Sequence, residues 1–291
     1  MSVSFAILAA ASLTVQVLGE AARPLGAEGL SGITHIEGNK YLTVEDRAGR
    51  LHEVTVQSSS TGISFNFTRT IELKGRGDLE DCALDPLTGN IWVSDEKDTS
   101  VNAFNYKTGV KAASLEIPEV YKKGARRHRS LEALTISPDG LKLYMANEEN
   151  LIGDPTNTVR IQEFTRKSAA DKFRQTRQFK YKVDPSLGKP FVGKNTFSGV
   201  SALTALPDGT LLVLEREFSM KVLPSFRIRI YRITLGQDKK ELIWEAATTF
   251  ANYEGMCLGP SMRQAQRTLV LISDGGGAAL ENVMVLSLNG L

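Results

Sequence analysis

Acidic residues recur at both ends of short apolar segments of this 291-residue chain, where an unpaired charge is costly to bury. One set stands at the start of such a segment: Glu80, Glu132 and Glu254. A second set stands where the following apolar segment ends: Glu148, Glu215 and Asp274. Carboxylates gathered from separate segments are suited to holding a hard divalent cation or to transferring protons. Whether these residues meet depends on the elements that carry them.

An internal repeat organises those elements. Five stretches share a polar lead residue, an apolar run, a turn and a second apolar run that ends in acid. The turns include DPLTGN, SPDG and LPDG, which are typical of β-hairpins. The lead residues follow one another at intervals of 49, 52, 69 and 53 residues, and they are Ser31, Glu80, Glu132, Ser201 and Glu254. The chain is therefore predicted to have a repeat architecture.

Two further strand-like stretches follow each hairpin, as in FRIRIYRITL and KELIWEA of the fourth repeat. Four strands in about 50 residues correspond to one β-propeller blade. We predict an all-β protein, a single β-propeller with five four-stranded blades; the 69-residue interval also leaves six possible. The last repeat has room for three strands, so residues 13–21 are predicted to add the fourth and close the ring. Residues 13–291 would then form one domain.

In a propeller the first strand of each blade lines the central channel, and the second strand returns antiparallel to it. Both acidic sets are therefore expected at one mouth of the channel. Like charges repel unless a cation or basic side chains compensate them, and Arg129 and Arg216 lie close in sequence to acids of these sets. The acids could bind a metal ion, or they could tie the blades together through ion pairs. The sequence leaves both possibilities open.

The segments DLEDCALDPLTGNIWVSDE, RSLEALTISPDGLKLYMANE, VSALTALPDGTLLVLERE and NYEGMCLGP resemble a phytase-like family with esterase-like activity, a group of exported bacterial proteins. The resemblance extends from about Leu18 to the end of the chain. It implies a propeller that hydrolyses esters or phosphate esters. The family often has glycine after the lead glutamate, which holds here at Gly255, whereas Asp81 and Ala133 occupy the position elsewhere. The segment GGGAAL (275–280) also departs from the family pattern.

The first hypothesis is a hydrolase of phosphate esters or simple esters that uses Ca²⁺ or another divalent cation at the channel mouth. The predicted catalytic residues, acting as a base or stabilising negative charge, are Glu80, Glu132, Glu254, Arg129 and Arg216. The predicted metal ligands are Glu80, Glu132, Glu148, Glu215, Glu254 and Asp274. A calcium-dependent lactonase is a variant of this hypothesis. The alternatives are a propeller that binds a ligand or protein without catalysis, and acids that are purely structural.

Composition gives no indication of other classes. The formal net charge of +2 is near neutral, which argues against a nucleic-acid partner or a membrane-surface protein. Residues 1–12 contain the apolar stretch FAILAAAS, which resembles a signal peptide without a basic start and is too short for a stable membrane span. A periplasmic or secreted location is therefore predicted, and the alternative is an ordinary N-terminal strand. Cys82 and Cys257 are too few for a disulfide framework or a zinc site. The expected partner is a small-molecule ester or phosphate ester, and the oligomeric state is unknown.

Overall fold

The fold is a ring of five four-stranded antiparallel sheets, which confirms the predicted five-bladed β-propeller. The computed structural model describes residues 12–23, 26–27, 29–46, 48–59, 62–74, 77–126, 130–187, 196–220, 224–262, 265–275 and 280–291. Within these ranges the chain has twenty strands and one short helix. In the described part of the 69-residue interval between Glu132 and Ser201, the extra length lies in the loops of the third blade. The number of blades is therefore five and not six.

The first strand in the chain, β1 (Thr14–Arg23), belongs to the last blade. Blade 1 contains β2 (Leu30–Glu37), β3 (Lys40–Glu45), β4 (Arg50–Ser59) and β5 (Gly62–Glu72). Blade 2 contains β6 (Leu79–Leu84), β7 (Ile91–Asp95), β8 (Ser100–Asn105) and β9 (Val110–Ser114), and it is followed by helix α1 (Glu119–Gly124). Blade 3 contains β10 (Leu131–Ile136), β11 (Lys142–Asn147), β12 (Thr158–Thr165) and β13 (Arg174–Lys182). Blade 4 contains β14 (Thr196–Ala205), β15 (Leu211–Met220), β16 (Pro224–Ile233) and β17 (Lys240–Thr249). Blade 5 contains β18 (Asn252–Gly259), β19 (Arg267–Asp274) and β20 (Glu281–Asn289), with β1 outermost.

The two ends of the chain close the ring. β1 pairs antiparallel with β20, from Thr14 opposite Asn289 to Arg23 opposite Glu281. Leu13 is buried in the apolar cluster between blades 4 and 5. The predicted closure by residues 13–21 is therefore confirmed.

Five apolar clusters fill the interfaces between neighbouring blades. Along the second strand of a blade, side chains alternate between the preceding and the following interface. In β15, for example, Val213 packs toward blade 3, whereas Leu212 and Leu214 pack toward blade 5. Because neighbouring blades cover both faces of these strands, nearly every residue in the strand sequence is apolar. Cys82 and Cys257 lie in two of the clusters as buried free thiols.

Side chains also link the inner strands of neighbouring blades, which belong to separate sheets. The Asp81 carboxylate, for example, accepts a 2.7 Å hydrogen bond from the backbone N–H of Leu134. The side chains that form such links are Thr34, Asp81, Thr135 and Thr204. The channel wall is thus fixed blade to blade by polar contacts as well as by apolar packing.

Parts of the sequence predictions fall outside the described residues. These are Arg129, together with residues 1–11 of the expected signal peptide and residues 276–279 of the GGGAAL segment. Within the ranges that are described, no helix has the length and apolar character needed to cross a bilayer.

Candidate functional site

A β-bulge or similar irregularity interrupts the pairing of the first two strands in every blade, at the same level of the ring. Bulges turn a side chain out of the ordinary alternation and are frequent beside active sites. The residues at these irregularities include all five lead residues: Ser31, Glu80, Glu132, Ser201 and Glu254. This backbone feature lets a strand with an apolar interior begin with a carboxylate.

A second ring of polar residues lies where the second strand of each blade ends. In β15 the alternation that directs Leu212 and Leu214 toward blade 5 continues to Arg216. The same alternation selects one residue in each blade: Asp46, Glu96, Glu148, Arg216 and Asp274. Blade 4 therefore presents a cation at a position where the other four blades present acids.

Arg216 gathers carboxylates from blades 3 and 5. Its side chain is buried, and Nη2 donates a 2.6 Å hydrogen bond to Glu148 Oε1. Nη1 donates to Glu254 Oε1 and, at 2.9 Å, to Asn252 Oδ1. Glu132 Oε1 lies 3.9 Å from Nη2. The structure thus brings together four residues predicted from sequence, and the arginine supplies the compensating charge.

Two carboxyl groups of this mouth, buried Glu132 and half-buried Glu80, carry raised pKa values. Burial, reinforced by the Glu148 carboxylate, raises the pKa of Glu132 well above its usual range, although Arg216 acts in the opposite direction. Burial and the neighbouring Glu132, Glu96, Asp46 and Asp78 likewise raise the pKa of Glu80. Neither carboxylate makes a hydrogen bond to another described residue, so each can take up a proton or a cation.

Three carboxylates at the interface of blades 1 and 2 are close enough to share a metal ion. One oxygen from each of Asp46, Asp78 and Glu80 lies within 4.8 Å of the others, the one such group within the described ranges. Three carboxylate oxygens form a hard donor set of the kind that Ca²⁺ and Mg²⁺ prefer. Of the predicted metal ligands, the triad contains Glu80.

Glu215 and Asp274 lie apart from the Arg216 cluster. Glu215 faces blade 3, where Oε1 accepts hydrogen bonds from Tyr181 Oη and Lys240 Nζ, both at 2.6 Å. It lies on the opposite face of β15 from Arg216, which is why the structure does not bring it to the mouth. Asp274 faces blade 1 beside Gly29, where an added Cβ would lie 2.7 Å from Asp274 Oδ1 and 3.6 Å from Asp46 Cβ. Asp274 therefore adjoins the triad without belonging to it.

Sequence reasoning missed Asp78 and Asn252 as members of the mouth. Each stands two residues before a lead glutamate, Glu80 and Glu254 respectively. Residues two apart in an extended chain point to the same side. That spacing is the signal that could have identified both.

The pKa of Glu281, at the start of β20, gives one testable consequence of this charge distribution. Burial and the carboxylate of Asp274 raise this pKa to about 7, from an ordinary value of 4.5. Below about pH 4.5 Glu281 is protonated in both the folded and the unfolded chain, and the fold has its full stability. As pH rises through 7 the buried carboxyl group must ionise in the folded chain, and this part of the stability is lost. Glutamine cannot ionise, so the Glu281→Gln variant should not show this loss. The free energy of unfolding of the variant minus that of the native protein should therefore rise by on the order of 2 kcal/mol between pH 4.5 and 7.5.

Urea denaturation at several pH values across this range measures the difference. Glu241→Gln, at an exposed position of β17, is the control and should give a curve parallel to that of the native protein. Parallel curves for Glu281→Gln as well would contradict the expectation.

The protein is therefore a five-bladed β-propeller. The mouth of its channel combines the carboxylate triad with a buried arginine. The model of the phytase-like family, described by the esterase-like activity of phytase, matches residues 26–275, and the chain belongs to this family. A search of curated proteins finds no match.

One solved structure supports the fold, and a second is reported beside it. The PQQ-bound aldose sugar dehydrogenase of Streptomyces coelicolor is 13% identical, with a TM-score of 0.50 over 96% of this chain and 99% of that one. A protein from Lactobacillus plantarum is 15% identical, with a TM-score of 0.45 over 89% of this chain and 74% of that one. At such identities the first likeness extends to the fold alone.

Proposed function

We propose that the protein hydrolyses phosphate esters or simple esters at this mouth, with Ca²⁺ or another divalent cation held by Asp46, Asp78 and Glu80. The observation that carries the proposal is the approach of these three carboxylates to within 4.8 Å, near the buried Glu132, whose pKa is raised by its burial. Membership of the phytase-like family supports the reaction class. The apolar segment 5–12 supports export to the periplasm or the medium.

The chemistry of the donor set fits a divalent cation. Three carboxylates would offset its charge, and a cation would relieve the repulsion that contributes to the raised pKa of Glu80. A bound cation of this kind polarises an ester or phosphoryl oxygen and lowers the pKa of bound water. Ca²⁺ takes six to eight oxygen ligands, so three from the protein would leave positions for water and substrate.

The remaining residues have separate tasks in this proposal. Burial raises the pKa of Glu132 and so favours its protonated form, from which it would donate a proton to the leaving group of the substrate. Arg216 holds Glu148 and Glu254 in place, since its two terminal nitrogens are engaged by them. This differs from the role predicted from sequence, in which Arg216 stabilises negative charge directly.

Two variants separate cation binding from proton transfer. Calorimetric titration of Ca²⁺ into chelator-treated protein should show binding, and Glu80→Gln should weaken it at least about tenfold, because one of three charged ligands is lost. Glu132→Gln should keep the affinity within about threefold. It should lower kcat on a phosphate or carboxylic ester of a simple alcohol by about 10²- to 10⁴-fold, the range for loss of a general acid, and should affect p-nitrophenyl phosphate or p-nitrophenyl acetate much less, because p-nitrophenolate leaves without a proton.

Glu119→Gln is the matched control, because Glu119 lies on helix α1 with its side chain 66% exposed. It should change neither quantity. Absence of Ca²⁺ binding, and equally of Mg²⁺ binding, in the native protein would remove the cation from the proposal. Binding without hydrolysis of either ester would favour a propeller that captures a ligand.

A further inference from the structure

The channel has a second mouth, at the end where a hairpin turn joins the first two strands of each blade. This hairpin mouth lies at the other end of the first strands from Glu80, Glu132 and Glu254. A cavity of about 280 Å³ opens there. Its walls are the hairpin halves of all five first strands, residues 33–36, 82–84, 134–136, 203–205 and 256–258. The cavity is therefore formed by the closed ring and belongs to no single blade.

Most side chains that line this cavity are apolar, and none of the described residues in its wall is acidic. Leu134 and Met256 are each 2% exposed. The residues nearer the turns, among them Ile36, Leu84 and Leu258, are partly exposed, so the cavity is open to solvent. Concave sites with mainly apolar walls are the usual form of a small-molecule pocket, and this one lies near the lower end of their size range. It is suited to a small ligand with an apolar part.

The threonine hydroxyls in the wall are engaged in linking the blades. Thr204 Oγ1 donates a 2.9 Å hydrogen bond to the carbonyl oxygen of Met256 in the next blade. Thr34 and Thr135 each accept a 3.1 Å hydrogen bond from a backbone N–H of the blade that follows. These hydroxyls hold the wall together, so a charged end of a ligand needs a different anchor.

Arg267, the first residue of β19, supplies a cation at the opening of the cavity. Its side chain lines the cavity and is exposed to solvent. Nε donates a 3.0 Å hydrogen bond to the carbonyl oxygen of Gly259, which ties the guanidinium to blade 5. The terminal nitrogens form no ion pair with any residue that the structure describes. A guanidinium held in this way can donate two parallel hydrogen bonds to one carboxylate.

We infer that the hairpin mouth binds a small amphipathic carboxylate, a free fatty acid of medium chain length. The alkyl chain occupies the cavity, and the carboxylate binds the terminal nitrogens of Arg267. At about 30 Å³ for each water-sized group the cavity holds roughly nine such groups, so a chain of about eight carbons fills it. The inference does not depend on hydrolysis at the acidic mouth, because it concerns the other end of the channel.

Calorimetric titration of butyrate, hexanoate, octanoate and dodecanoate into the full chain at pH 7.5 tests the role of the cavity. Affinity should rise about fourfold for each methylene group up to octanoate, the usual effect of burying this group. Dodecanoate should gain no more than about tenfold over octanoate, because its additional methylene groups lie outside the filled cavity. Equal affinity for butyrate and octanoate would overturn the proposal, as would the absence of octanoate binding.

The Arg267→Gln variant tests the role of the charge. It should bind octanoate at least about tenfold more weakly, the effect of losing hydrogen bonds to a charged group, and should bind 1-octanol within about twofold of the native protein. Arg174→Gln is the matched control, because Arg174 is also exposed and belongs to the outer strand of blade 3 at the same end of the ring. It should bind octanoate within about twofold. Equal octanoate affinity in Arg267→Gln and native protein would contradict the assignment.

Nuclear magnetic resonance of protein labelled with ¹³C at the methionine methyl groups locates the bound acid. The Met256 resonance should shift on addition of octanoate and saturate with the dissociation constant found by calorimetry. Met284 is the internal control, because it lies in the third strand of the same blade, is 6% exposed and does not line the cavity. Octanoate binding that leaves the Met256 resonance unchanged would place the acid elsewhere and overturn the proposal.

Discussion

Arg216→Met should destabilise the protein by about 3 to 5 kcal/mol at pH 7, the usual result of removing one partner from a buried ion pair. Arg216 is 6% exposed and contacts Glu148 and Glu254 directly, with Glu132 at 3.9 Å. Methionine fills much of the volume but leaves these carboxylates buried without their cation. The loss is therefore an electrostatic one rather than a cavity.

The pH dependence distinguishes this cause from a packing defect. The Arg216 guanidinium holds down the pKa of Glu132, so without it this pKa rises further and Glu132 keeps its proton to higher pH in the folded state. The deficit relative to the native protein should be small below about pH 4.5, where the unfolded chain is protonated as well, and should grow as pH rises. Chemical denaturation at pH 4.5 and 7 measures it.

Arg227→Met is the control for the loss of an arginine from the same blade. Arg227 pairs with Glu245 at 2.7 Å, but the two side chains are 29% and 31% exposed. Pairs open to solvent contribute about 0 to 1 kcal/mol, so this variant should lose no more than that. A pH-independent deficit in Arg216→Met, or one as small as that of Arg227→Met, would contradict the role assigned to the guanidinium.

Deletion of residues 1–23 should abolish cooperative folding, because it removes β1 and opens the ring. The outer edge of β20 would lose its whole ladder of partners, and an unpaired strand edge is prone to association with other chains. The apolar cluster between blades 4 and 5 would lose Leu13, and Tyr253 would lose the Glu20 carboxylate to which its hydroxyl donates. We expect an aggregated or molten product in size-exclusion chromatography and in thermal melts followed by circular dichroism.

Deletion of residues 1–11 leaves β1 intact and is the matched control, with a melting temperature close to that of the full chain. A peptide of residues 12–23 added to the longer deletion should restore part of the cooperative transition if pairing with β20 is the cause. A sharp, native-like melt of the longer deletion alone would show that closure by β1 is dispensable.

The fold could be predicted from the sequence because its signals are local and repeated. Each hairpin carries its own turn, and the spacing of the lead residues counts the blades. The missing fourth strand of the last repeat also predicted closure by residues 13–21. These features need no knowledge of how distant residues pack.

The site could be predicted only in part, because it depends on which face of a doubly covered strand a residue occupies. In LLVLERE the apolar residues occupy both alternating faces, so the sequence alone does not assign Glu215 or Arg216 to the mouth. The lead glutamates could be identified from the sequence, because a charged residue at the start of an apolar strand is unusual on either face of the strand. The ion pairs of Arg216 with Glu148 and Glu254 depend on distances between blades, for which the sequence has no signal.

Pairing of β1 with β20 makes the two ends of the chain the last parts of the molecule that can be completed. Gln16 and Ser287, partners in that ladder, are separated by 271 residues. Contacts this distant in sequence close slowly, because the entropy of the intervening loop opposes them until the other blades have formed. β1 is synthesised before every other described strand of the ring, so it stays without its partner until β20 has been made. The strand that completes the mature ring is thus also the strand that spends the longest time without its partner.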